Sequence, residues 1–104
     1  MSNNGENVTQ VRKVIINTCC GGFSLSELAC ETYARDRGIL RSEFSQYELE
    51  RDDPFLVGVV EQLGNKANGD YSKLKVVEIP ADVKYTIEEY DGSEWIAEVH
   101  RTWS

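Results

Sequence analysis

The sequence predicts an α+β fold in which two helices pack on a mixed, mainly antiparallel sheet that ends in a C-terminal β-hairpin. Three features lead to it: a β-branched run at residues 14–16, two segments with helix-start signals, and alternating residues on both sides of Asp91-Gly92. With 104 residues and 40% apolar content, the chain has room for one core. We therefore predict a disordered tail at residues 1–10 and a single domain at residues 11–104.

The first strand is expected at residues 11–18. Its unbroken apolar stretch, Val14-Ile15-Ile16, is typical of a strand covered on both faces and central in its sheet. Gly21 and Gly22 then interrupt the pattern. The sequence thus predicts a buried strand followed directly by a glycine loop.

A helix should follow this loop directly. Ser24 and Glu27 fit a capping box, and Phe23 can pack on Leu28 as a hydrophobic staple. Gly38 is placed to end the helix in the left-handed conformation. The apolar side of this helix comprises Leu25, Leu28, Ala29 and Tyr33.

Asp53 as N-cap and Pro54 at the first helical position predict the start of a second helix. It should run to about Leu63 or Ala67, and Asn68-Gly69 should form a turn. The charged segment before it, residues 40–52, reads as irregular or as an edge strand. The apolar stripe of this helix comprises Leu56, Val59, Val60 and Leu63.

A strand at residues 74–79 is ended by Pro80, and the hairpin follows. A two-residue Asp91-Gly92 loop would mix apolar and charged residues on each face. A three-residue loop with Gly92 in the left-handed conformation pairs Ile87 with Trp95 instead, so we predict that register, with Trp95 in the core.

The net charge of −7 is unevenly distributed. Residues 1–40 hold four basic and four acidic side chains, whereas residues 41–104 hold seven and fourteen. Nucleic-acid backbones and anionic membranes both attract clustered cations, so direct binding to either is not expected. A basic protein partner fits the charge. A solubilising role for the surplus is the simpler alternative.

The glycine loop is the first candidate site. Exposed N–H groups at a helix N-terminus attract phosphate or carboxylate, and glycines let a ligand approach the backbone. We assign Thr18, Cys19, Gly21, Gly22 and Ser24 to this small-anion hypothesis, with Arg101 and Trp103 as further contacts. The alternative is a tight turn whose N–H groups are already bonded within the protein.

Catalysis, metals and cofactors have little support. Cys19, Cys20 and Cys30 lack a zinc-site spacing and an even count for disulfides, which fits a reducing, cytoplasmic location. Cys19 or Cys20 acting with His100 is the weakest functional hypothesis. We expect no metal, no cofactor and no catalytic residue.

Several strings resemble small uncharacterised proteins of tailed phages and prophages, over nearly all the chain after residue 10. They are Ile16-Asn17-Thr18-Cys19, Gly21-Gly22-Phe23-Ser24-Leu25-Ser26, Arg51-Asp52-Asp53-Pro54, Val76-Val77-Glu78-Ile79-Pro80, Tyr90-Asp91-Gly92 and His100-Arg101 with Trp103. Cys20 departs from the pattern, where an aromatic residue is expected. The resemblance implies a phage context in the cytoplasm of a bacterial host and carries over no active site.

The leading functional prediction is a non-enzymatic binding protein that occupies a basic host protein, such as a defence nuclease, with an acidic surface. The predicted contacts are Glu88, Glu89, Asp91, Glu94 and Glu98. The alternative is a protein that binds or sequesters a nucleotide or other small anion at the glycine loop. The oligomeric state stays open.

Overall fold

A computed structural model describes residues 10–99 of the chain. The elements are β1 (Val11–Asn17), α1 (Glu27–Arg37), α2 (Pro54–Leu63), β2 (Leu74–Pro80), β3 (Tyr85–Tyr90) and β4 (Ser93–Glu98). β1 pairs with β2 and β3 pairs with β4, both antiparallel. The α+β prediction with its C-terminal hairpin is confirmed.

β1 is covered on both faces, as its apolar run predicts. Residues 14–17 are all buried, and Ile15 belongs to the core formed with the two helices. The expectation that β1 is central in a sheet is wrong, because among residues 10–99 its sheet has two strands. The second edge of β1 is instead occupied by the Arg51 carbonyl, which accepts the Ile15 N–H at 2.9 Å, and by the Glu94 carboxylate, which accepts the Asn17 N–H at 2.8 Å.

α1 begins two residues later than predicted. Ser26, not Ser24, is the N-cap, and its side chain accepts the Ala29 N–H. The reason is tertiary: Leu25 forms an antiparallel bridge with Asn68, which keeps the chain extended up to Ser26. With Ser26 as the N-cap, Phe23 and Leu28 no longer occupy the positions of a hydrophobic staple, and Leu28 is 46% exposed. The C-terminus is confirmed, because Gly38 has φ 70° and the Ile39 N–H bonds back to the Ala34 carbonyl.

α2 follows its local signals. Asp53 caps it by accepting the Phe55 N–H, Pro54 is its first residue, and Leu56, Val59 and Val60 are buried. A short 3-10 helix, Gly64–Ala67, continues it. Residues 40–52 are irregular with two 3-10 turns, Arg41–Glu43 and Gln46–Glu48, so of the two readings the irregular one is confirmed.

The hairpin has the two-residue loop, and the predicted register is wrong. Asp91 and Gly92 have φ values of 55° and 89°, which is the pattern of a type I′ turn. Tyr85 therefore pairs with Glu98 and Ile87 with Ile96. The predicted core position of Trp95 is wrong as well, since it is 47% exposed on the outer face of the hairpin.

Candidate functional site

The glycine loop is held by contacts within the protein. Thr18 donates its N–H and its hydroxyl to the Lys73 carbonyl, at 2.8 and 2.9 Å. A Cβ on Gly21 would lie 2.1 Å from the Tyr71 carbonyl oxygen, so this glycine allows a close approach of two chain segments. Gly22 has φ 89°, in the left-handed region that glycine adopts without strain. A close approach of two chain segments thus accounts for Gly21, and a left-handed backbone accounts for Gly22.

The backbone N–H groups just before α1 are bonded within the protein. The Leu25 N–H is accepted by Gln46 Oε1 at 2.7 Å, and the Ser26 N–H by the Ala67 carbonyl at 2.9 Å. The Ser24 carbonyl accepts the Gly69 N–H and the Ser72 hydroxyl. This arrangement matches the tight-turn alternative better than an open anion site.

A cleft of about 540 Å³ lies beside this loop. The charged residues that line it within the described chain are carboxylates, Glu27 and Asp70. Arg41 donates two hydrogen bonds to Glu27, at 2.8 and 3.1 Å, and these bonds lower the pKa of that carboxyl. Because Asp70 adds a further negative charge, the lining favours neutral or cationic ligands over anions.

The cysteines occupy three different environments. Cys30 is buried in α1, and burial raises the pKa of its thiol. Cys19 is half-buried, and a hydrogen bond from the Gly21 backbone lowers its thiol pKa. Cys20 is exposed. His100, the base of the Cys-His hypothesis, lies outside the described residues, as do Arg101 and Trp103.

The acidic hairpin is attached to the domain by a partly buried ion pair. Glu94, with its side chain 8% exposed, accepts bonds from both Arg51 Nη1 and Nη2, at 2.7 and 2.9 Å. The Arg51 guanidinium lies 3.7 Å from the centre of the Phe23 ring. The structure therefore places Glu94, expected at a protein contact, inside the fold.

Asn17 completes this attachment at the end of β1. Its fully buried side chain donates to the carbonyls of Cys19 and Gly92 and accepts the N–H of Lys73 at 2.8 Å. A Cβ on Gly92 would lie 2.2 Å from the Cys20 carbonyl oxygen. The hairpin turn is thus packed directly on the glycine loop, so the two candidate regions adjoin.

The remaining predicted contacts lie on the surface. Glu88, Glu89, Asp91 and Glu98 are exposed, and Glu89 accepts the Gly92 N–H at 2.6 Å. Residues 82–99 contain six acidic side chains and one basic one, Lys84. Since Glu94 is neutralised by Arg51, the surplus that reaches solvent comes from the other acids.

Sequence reasoning missed Arg51 and the outer aromatic residues. Tyr90 and Trp95 are 78% and 47% exposed, on the face that also carries Glu88. The Asp91-Gly92 pair was the available signal for this register, because Asp-Gly is a preferred type I′ turn. Arg51 gave no signal, since its partner is 43 residues away.

Comparison with known proteins identifies no relatives: no protein-family model, curated protein or solved structure matches the chain. The phage-family resemblance stays a prediction. Within residues 10–99, no helix is long and apolar enough to cross a membrane, and no cluster of three or more histidine, cysteine or acidic side chains could hold a metal ion.

Proposed function

We propose that this protein is a non-enzymatic binding protein whose C-terminal hairpin contacts a basic surface of another protein. The observation that carries the proposal is the exposed acidic surplus of the hairpin. Following the phage resemblance, the partner is a bacterial host protein, and blocking its cationic site is the proposed effect.

Charge geometry supports this proposal. The exposed acids Glu88, Asp91 and Glu98 are spread over both strands and the turn, with no Lys or Arg ion pair to any of them within the described chain. Such a field attracts a cationic surface and accelerates association, and it repels nucleic acid. Attachment through Arg51 and Glu94 holds the hairpin against the domain, which limits the entropy lost on binding.

The test is a quantitative pull-down from bacterial lysate with a matched pair of triple variants. The hairpin variant is Glu88→Lys, Glu98→Lys and Asp91→Asn, where asparagine tolerates the left-handed φ. Glu94 is left intact because its loss would disturb the fold. The control variant is Glu31→Lys, Glu48→Lys and Asp70→Asn, which changes the net charge equally at exposed positions outside the hairpin.

We expect the wild type and the control variant to capture the same basic protein, and the hairpin variant to lose it. Circular dichroism and thermal unfolding establish that both variants are folded. Capture that is equal for all three proteins, or lost equally in both variants, would refute a role for the hairpin.

Binding of a small ligand beside the glycine loop is the second candidate, favoured by the cleft of about 540 Å³. Its test is a thermal-shift screen that includes nucleotides, phosphates and organic cations. A ligand that raises Tm of the wild type but not of a Tyr71→Ala variant, which alters the cleft lining, would support it. A screen without a stabiliser counts against it.

A further inference from the structure

We infer that the outer face of the hairpin holds an arginine side chain of the partner between Trp95 and Glu88. This inference rests on the proposed function and names its central contact. The inference depends on the observed register, which places an aromatic ring and a carboxylate side by side on a solvent-facing surface.

The register places the two groups opposite each other. Glu88 of β3 pairs with Trp95 of β4, and residues opposite each other in an antiparallel ladder have Cβ atoms about 4.5–5.5 Å apart on the same face. Tyr90 lies two residues from Glu88 on that face and is 78% exposed. Thr86 donates its hydroxyl to Glu88 Oε2 at 2.8 Å, which orients the carboxylate.

The protein itself shows which side chain such a pair accommodates. Three of its arginines lie over an aromatic ring and pair with a carboxylate. They are Arg51 with Phe23 and Glu94, Arg37 with Phe55 and Asp53, and Arg41 with Phe44 and Glu27. The ring-centre distances are 3.7, 5.4 and 5.2 Å in the same order. Trp95 and Glu88 form a fourth pair of ring and carboxylate. No arginine among residues 10–99 lies over this ring or pairs with this carboxylate.

Arginine fits this surface better than other partner groups. Its planar guanidinium stacks on an aromatic face and bonds a carboxylate at the same time. Tryptophan is the strongest cation–π acceptor, and the acidic surroundings disfavour an anionic group. Trp and Tyr side chains are also enriched at the hot spots of protein–protein interfaces. The proposed occupant is therefore an arginine on a basic protein surface.

The first measurement uses fluorescently labelled Gly-Ser peptides that carry four arginines, four lysines or four glutamates. Their affinities are measured by anisotropy for the full chain and for Trp95→Thr and Glu88→Gln. Phe55→Leu and Glu48→Gln are the controls, because they remove an aromatic ring that is 47% exposed, like Trp95, and an exposed acid elsewhere. In a Trp103→Phe background, Trp95 is the remaining one of the two tryptophans, so its emission reports directly on contact.

We expect the arginine peptide to bind most tightly and to change Trp95 emission. Trp95→Thr should weaken its binding roughly 5- to 20-fold, in the range of a partly desolvated cation–π contact at a hot spot. Glu88→Gln should weaken it roughly 3- to 10-fold, and each control less than about 2-fold.

The outcomes separate the two proposals. If Trp95→Thr and Glu88→Gln bind the arginine peptide like the wild type while the hairpin triple variant does not, the arginine site is wrong and the acidic hairpin stands. If the triple variant also binds normally, both fail. Equal affinity for arginine and lysine peptides, with unchanged Trp95 emission, would likewise overturn the arginine site.

Discussion

Replacing Glu94 by glutamine should destabilise the fold strongly, although glutamate and glutamine have nearly the same shape. Glu94 is 8% exposed and accepts three bonds, two from Arg51 and one from the Asn17 N–H. Glutamine offers one acceptor oxygen and turns an NH₂ group toward the donors that remain. Because the pair is only partly buried, with the Arg51 side chain 22% exposed, we expect a cost of about 1.5–3 kcal/mol, the range of hydrogen bonds to charged groups.

This cost is large for a chain of this size. Each kcal/mol corresponds to roughly 4–8 °C in Tm for a domain of 60–100 residues, so Glu94→Gln should lower Tm by at least about 6 °C. The assay is thermal and urea unfolding at pH 7, followed by circular dichroism. Glu61→Gln is the control, since its ion pair with Lys13 is solvent-exposed and should matter much less.

The double variant Arg51→Met/Glu94→Gln tests the pairing itself. Without the guanidinium, the glutamine no longer faces an uncompensated charge, so the double variant should lose less stability than the sum of the single variants. Additive losses, or a loss below about 1 kcal/mol for Glu94→Gln, would refute the view that this pair attaches the hairpin.

The same pair gives a pH dependence with a definite sign. Burial raises the pKa of Glu94, but the bonds from Arg51 and from the Asn17 N–H outweigh it, so the folded-state pKa lies below the ordinary 4.5. A lowered folded-state pKa contributes stability above pH 4.5 that is lost as pH falls through the folded-state value. Wild type should therefore lose more stability on acidification than Glu94→Gln, and parallel profiles would contradict this.

Two further predictions concern the backbone and the buried amide. Gly92→Ala should destabilise the fold by about 1–3 kcal/mol or more in urea unfolding, because φ is 89° and a Cβ would meet the Cys20 carbonyl. Gly58→Ala in α2 should instead stabilise it by about 0.5–1 kcal/mol in the same assay, because a Cβ at Gly58 would meet no other atom. Asn17→Leu should cost about 2–4 kcal/mol in urea unfolding, because it leaves the Gly92 carbonyl and the Lys73 N–H without their side-chain partner; a loss under 1 kcal/mol would show that these groups find other partners.

Local signals predicted the elements that depend on neighbouring residues. Asp53-Pro54 fixed the start of α2, and Gly38 fixed the end of α1, because a cap or a left-handed glycine acts within one turn. The predicted start of α1 at Ser24 was wrong, although its local signals were strong. The bridge between Leu25 and Asn68 keeps the chain extended up to Ser26, and no local pattern encodes that contact.

The candidate site was predicted only in part, for the same reason. The acidic character of the hairpin is a property of composition and could be read from the chain. Its register had one local signal, the Asp91-Gly92 turn, but that register puts a charged residue inside the fold, which is acceptable only when a partner is present. Arg51 supplies that partner, which lets Glu94 turn inward and leaves Trp95 on the outer face.

The most direct test of the central proposal is hydrogen exchange of the protein alone and in complex with the basic protein that it captures. We expect slowed exchange in residues 85–98, with the amides around the start of α1 unchanged. Protection confined to residues 21–27 and 69–71, at the cleft beside the glycine loop, would contradict the hairpin proposal and favour the small-ligand site.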